Sequence, residues 1–155
     1  IKSYAHGQCA VSESDILAVV ADASSTSFDQ AIGAAFDGDR IGVLDLTKKV
    51  VVDFDPAALL SLALAHAILL HSLRLEIEGG RSVEDAIHRS PRVFGKKKSV
   101  IALQLKIWDA TALLNQSAKL SEAVRLSRRE PKLSDEIAIR SLLSIAHSAP
   151  RQKNS

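Results

Sequence analysis

The sequence predicts an all-α fold, a bundle of about six to seven helices joined by short loops. Three observations carry that prediction. Residues 55–78 form one long apolar run, opened by Asp55-Pro56 and closed by Gly79-Gly80, rich in Leu and Ala and too long for a strand. Aromatic residues are only 4% of the chain, so the core must be built from Leu, Ile, Val and Ala. A single stretch, Val50-Val51-Val52, leans toward β structure, and no second strand exists to pair with it.

The elements follow in order. Residues 1–10 read as a connection, with Gly7 at a turn. Ser12-Glu13-Ser14-Asp15 is a capping box with Asp15 in place of Glu, and it opens a short helix that ends near Asp22. Residues 23–27 are small and polar and are expected to form a linker. Ser27-Phe28-Asp29-Gln30 is a second capping box; Phe28, Ala31, Ile32, Ala35 and Phe36 then make a helical stripe that Gly38 stops. Asp39 caps the next helix, whose inner face should use Ile41, Leu44, Thr47 or the Lys48 stem, and Val51.

Asp55 caps the long apolar helix, Pro56 fits its first position, and the Gly pair supplies the left-handed residue that ends it. An all-round apolar helix of this kind belongs in a core, and Leu62, Leu69 and Leu73 should be buried together. Ser82 caps a short helix broken at Pro91, residues 92–95 are a loop, and residues 96–108 are helical. Asp109 caps a longer helix that Pro131 ends. Ser134 caps the last, which runs through Ile137, Ile139, Leu142, Leu143 and Ile145. Residues 150–155 are expected to be a disordered tail.

Composition bounds the function. A chain of 155 residues with 46% hydrophobic and 25% charged residues is an ordinary soluble domain, with room for a piece of a second. A membrane span needs about 18 or more uninterrupted apolar residues; here Ser61, His66, His71 and Arg74 interrupt. Cys9 is alone, so no internal disulfide can form, which fits the cytoplasm. The chain starts at Ile1 and has no Met, and reads as an interior or C-terminal piece of something longer. Its net charge of +2 is unevenly spread: residues 1–55 hold nine acids against four bases, or −5, which leaves +7 for the rest. Opposite halves of this kind can orient neighbouring subunits, or turn one half toward nucleic acid.

Few residues point to chemistry. His6 and Cys9 have the spacing of half a zinc site, without the second pair such a site needs. His66 and His71 lie roughly 140° apart round a helix and read as helix histidines bonded to neighbours. Asp37-Gly38-Asp39 fails as a calcium loop, since position 5 is Ile41 and position 12 is Lys48. Gly79-Gly80-Arg81-Ser82 lacks the strand and the Gly-Lys-Ser/Thr of a phosphate loop, and no Gly-x-Ser-x-Gly occurs. No catalytic, cofactor-binding or metal-binding residue is therefore assigned. The basic run is the feature above background. Residues 86–108 contain no acid, while Arg89, Arg92, Lys96, Lys97, Lys98 and Lys106 are candidates to neutralise phosphates. Phe94 alone interleaves them, and a solvated loop and helix start is the plainer reading.

Taken together, the segments resemble a known family, the delta subunit of the bacterial DNA polymerase III clamp loader in its α-proteobacterial style. The carrying residues are ordered along the chain. Tyr4-Ala5 with Val11-Ser12-Glu13-Ser14-Asp15-Ile16 and Val20-Ala21-Asp22-Ala23-Ser24 looks like the end of that family's lid domain. Phe28-Asp29-Gln30-Ala31-Ile32 with Phe36-Asp37-Gly38-Asp39 looks like the start of its collar, and Pro56 with Leu59-Leu60-Ser61-Leu62 like the long collar helix. Pro91-Arg92-Val93-Phe94, Leu105-Lys106-Ile107-Trp108 and Arg140-Ser141-Leu142-Leu143-Ser144-Ile145-Ala146 complete the order, with departures at Gly95 and at Arg128-Arg129-Glu130-Pro131.

The resemblance implies a lid remnant and linker at residues 1–25, a helical collar at residues 26–149, and a tail at residues 150–155. It implies a cytoplasmic, non-catalytic part of a DNA-directed DNA polymerase holoenzyme (a nucleotidyltransferase), acting in DNA replication by holding clamp-loader subunits together collar to collar. No cofactor is implied. This part of the family's chain does not contact the sliding clamp, and a weak DNA contact would fall to the basic run. Candidate interface residues are Leu133, Ile137, Arg140 and Leu143, with Ile139 beside them. The alternative is a basic helical nucleic-acid-binding module.

Overall fold

The computed structural model describes residues 13–150, with side chains described from Ser25 onward. The expectations for residues 1–12, including His6 and Cys9, and for the tail beyond Pro150 lie outside the described residues. The elements are α1 (Glu13–Asp37), α2 (Arg40–Asp53), α3 (Pro56–Glu78), α4 (Val83–Arg89), α5 (Lys97–Ile107), α6 (Ala110–Arg129), a 3₁₀ turn (Pro131–Leu133) and α7 (Ser134–Ser148). The fold is an all-α bundle, and the described residues contain no strand.

Helix α3 is the centre. It lies most extensively against α6 and also touches α1, α4, α5 and α7. It is long and apolar enough to cross a membrane by length and composition, yet here Leu59, Leu60, Ala63, Ala67 and Leu70 are wholly covered by protein. The expected trio is not what it buries. Leu73 is buried, Leu69 is half-buried, and Leu62 is 46% exposed. A sequence apolar on every side does not mark which side the neighbours take.

Four helix starts are capped as their residue types dictate. Asp39 accepts from the Gly42 amide at 2.9 Å, Asp55 from Ala57 at 3.0 Å, Ser82 from Asp85 at 3.1 Å and Asp109 from Ala112 at 2.7 Å. Two helices end in the same glycine device. Gly38 (φ 80°) and Gly80 (φ 106°) are left-handed, and each allows the next residue to bond five back, Asp39 to the Ala34 carbonyl and Arg81 to that of Glu76. The Gly38 turn is also tight, because a Cβ there would sit 3.2 Å from the Ala149 Cβ.

Three expectations give way. Residues 23–27 are not a break, since α1 runs unbroken from Glu13 to Asp37; a weak local preference yields to the buried stripe of Phe28, Ala31, Ile32, Ala35 and Phe36 that continues the same helix. Ser134 does not cap α7. The 3₁₀ turn winds into the helix, and the Ser134 hydroxyl donates back to the Pro131 carbonyl at 2.8 Å. Ile41 is 85% exposed, because α2 turns Val43 and Val50 inward together with Thr47, the one of its expected inner residues that is fully buried.

Helix α7 is well enclosed, touching α1, α2, α3 and α6. Among the described residues, the hydroxyls of Thr47 and Ser127 are buried without a partner. An unpaired buried hydroxyl costs about 1–3 kcal/mol. Thr47→Val keeps the shape and removes the group, so it should raise Tm. Leu70→Ala should lower stability by about 2–5 kcal/mol. Calorimetric melts of both variants check the two directions.

Candidate functional site

The end of α1 carries the most structured polar arrangement among the described residues. The Trp108 indole N–H donates to the Phe36 carbonyl at 2.9 Å, wholly inside the protein. Trp108 also meets Phe36 edge to face with ring centres 5.7 Å apart, and the His66 ring lies 4.9 Å from Phe36 on another side. The next residue, Asp37, accepts from Gln104 Nε2 at 3.0 Å, while Gln104 Oε1 sits 2.7 Å from His66 Nε2. A carboxylate can only accept, so the amide nitrogen of Gln104 faces Asp37 and its oxygen faces His66. His66 must then carry its proton on Nε2. The result is a chain of donors from α3 through α5 to α1.

Burial pushes the His66 pKa below its ordinary 6.5, and the bond that His66 donates to Gln104, with the Asp29 and Asp37 carboxylates, opposes that only in part. The ring is therefore a neutral structural donor. The expectation that His66 is bonded to its neighbours holds. Gln104, fully buried, was the residue to notice: a lone amide at an inward position of α5, between Ile101 and Leu105.

Above this chain lies a groove of about 590 Å³ between α1, α3, α5 and the loop before α5. Ile32, Leu62, Leu69, Val93 and Ile101 give it an apolar lining, and Arg92, Lys96 and Lys97 bring three cations to it. Asp29 lines it too and pairs with Lys97 at 3.1 Å. The basic run is thus split. All six of its cations are exposed, but only Arg92, Lys96 and Lys97 converge on the groove; Arg89, Lys98 and Lys106 do not line it. Phe94, beside them, is 67% exposed.

The candidate interface residues are likewise uneven. Leu133 is 50% exposed, and Arg140 is exposed and held by Glu136 at 3.0 Å. Ile137, Ile139 and Leu143 are half-buried, with Ile137 and Leu143 packed on the core. Among the described residues no group of three His, Cys, Asp or Glu could hold a metal ion. Comparison with protein-family models, with curated proteins and with solved structures finds no match to any of them.

The depressed His66 pKa gives a signed pH dependence. Below 6.5 the unfolded chain takes up a proton that the folded ring resists, so stability should fall as pH drops through that value and level off above it. His66→Gln retains a donor for Gln104 and removes the titration. Urea midpoints across pH 5 to 8, roughly the range in which histidine titrates, should show the wild-type slope flattened in the variant.

Proposed function

We propose that this chain is a non-catalytic assembly module, the collar part of a delta-type subunit of a bacterial DNA polymerase III clamp loader. The ordered likeness of its segments to that family suggests the reading. The observation that carries it furthest is a bundle that keeps large apolar side chains on its surface. Leu103 is 53% exposed on α5, Leu114 57% on α6 and Leu133 50% before α7. Apolar surface of this kind suits contact with the helices of partner subunits.

Leu133, Ile137 and Arg140 follow at intervals of four and three and so share one face at the start of α7. On this reading they meet a neighbouring collar, with Leu143 supporting them from its half-buried position. Partner subunits then carry the nucleotide chemistry, and clamp opening falls to the N-terminal domain of delta-type subunits rather than to the collar.

The exposure of Phe94 among Arg92, Lys96, Lys97 and Lys98 favours a second reading, a nucleic-acid contact in which the ring stacks and the cations neutralise phosphates. The two are separable. Mixed with the remaining clamp-loader subunits, the chain should form a heavier complex by light scattering without ATP. Leu133→Asp should weaken that complex at least tenfold, or about 1.4 kcal/mol. A complex that needs ATP, or none, overturns the assembly reading. Binding of a primed DNA that falls steeply with salt and is lost on reversing Lys96, Lys97 and Lys98 supports the second.

A further inference from the structure

The groove between α1, α3 and α5 joins two properties that the basic run alone does not have. Its floor is apolar, and its larger open side chains are Leu62 on α3, 46% exposed, and Val100 on α5, 40% exposed, with the exposed Ala65 beside them. Its charge is one-sided. Arg92, Lys96 and Lys97 line it against a single acid, Asp29, which Lys97 already engages. The His66 ring, kept neutral by burial, adds no charge. At about 590 Å³ the space admits a few side chains and not a folded domain.

We propose that this groove is a docking site for an acidic segment of a partner protein, an amphipathic stretch that sets apolar side chains on Leu62, Leu69 and Val100 and carboxylates against Arg92, Lys96 and Lys97. The occupant follows from complementarity. A basic segment would meet three like charges. A nucleic-acid strand gains by stacking its bases on aromatic faces, and the apolar floor is built of Leu, Ile and Val instead. An acidic amphipathic helix satisfies both surfaces at once, the helix-in-groove mode of recognition. Exposed ion pairs contribute little affinity, so the apolar anchors hold the segment while the cations set its direction and speed its arrival. The site belongs to this chain alone and operates whether or not the chain is also part of a clamp-loader collar.

The test uses the full chain and a fluorescein-labelled peptide of about 15 residues, with Leu along one helical face and Glu elsewhere. Anisotropy should report binding with a Kd on the order of micromolar. Leu62→Glu and Val100→Glu, both at exposed positions and each checked for an unchanged melt, should weaken it at least tenfold, and Lys96→Glu by about threefold, chiefly through slower association. A peptide with Lys in place of Glu should not bind. The proposal is overturned if the Glu peptide does not bind, if both peptides bind alike, or if the two floor variants leave binding intact. It is also overturned if a single-stranded DNA oligonucleotide displaces the peptide and itself loses binding on Leu62→Glu, which would assign the groove to nucleic acid. Light scattering that shows self-association abolished by Leu62→Glu would assign it to a second copy instead.

Discussion

A helix that ends inside a protein leaves carbonyl oxygens with nowhere to go, and the end of α1 is such a place. The structure answers three of its last four. Asp39 and Gly38 turn their amides back onto Ala34 and Ala35, and Trp108 reaches in from the end of α5 to the carbonyl of Phe36. That last bond constrains the rest. It requires the end of α5 to lie against the end of α1. Trp108 sits one residue before the cap of α6, so the same bond fixes where α6 departs to meet α3. Losing it would strand a buried carbonyl at a cost of about 1–3 kcal/mol.

The groove is the empty side of the same arrangement. With α5 pinned at its C-terminal end by Trp108, and at the Leu105 carbonyl by Arg74 from α3 (3.0 Å), its N-terminal half stands off from α1 and α3. Gln104 closes the bottom of the gap with bonds to His66 and Asp37. Lys97 bridges the top to Asp29. The floor is therefore set by buried hydrogen bonds that do not move easily, and the rim by solvated charges that do.

What the residues disclosed and what they hid divides mostly by range. The caps at Asp39, Asp55, Ser82 and Asp109 and the stops at Gly38 and Gly80 are chemistry within six residues and could be read directly, whereas the equally local readings at Ser134 and at residues 23–27 yield to the 3₁₀ turn before α7 and to the buried stripe of α1. The facing of α3 could not. Its apolar side chains offer several equivalent stripes, and only contact with α6 selects Leu59, Leu60, Ala63, Ala67 and Leu70. The groove was hidden for a similar reason: Asp29, His66 and the α5 pair Lys97 and Gln104 come from three distant parts of the chain and carry no shared motif. Half of it was visible as the acid-free run of residues 86–108, but not the split that sends Arg92, Lys96 and Lys97 to the groove and leaves Arg89, Lys98 and Lys106 out of it. Gln104, polar among Ile101, Leu105 and Trp108, was a flag that pattern reading can pick up.

The unbroken course of α1 changes how force would pass through the molecule. At 25 residues it is a rod about 37 Å long, rigid where a run of Ser and Thr suggested a flexible joint. A joint there would have absorbed any twist applied at one end. A rod transmits it, and magnifies a tilt of a few degrees at Asp37 into a displacement of several ångströms at Glu13. The end at Asp37 is the one gripped by Trp108 and Gln104, so a twist carried along α1 arrives at the core through these two side chains.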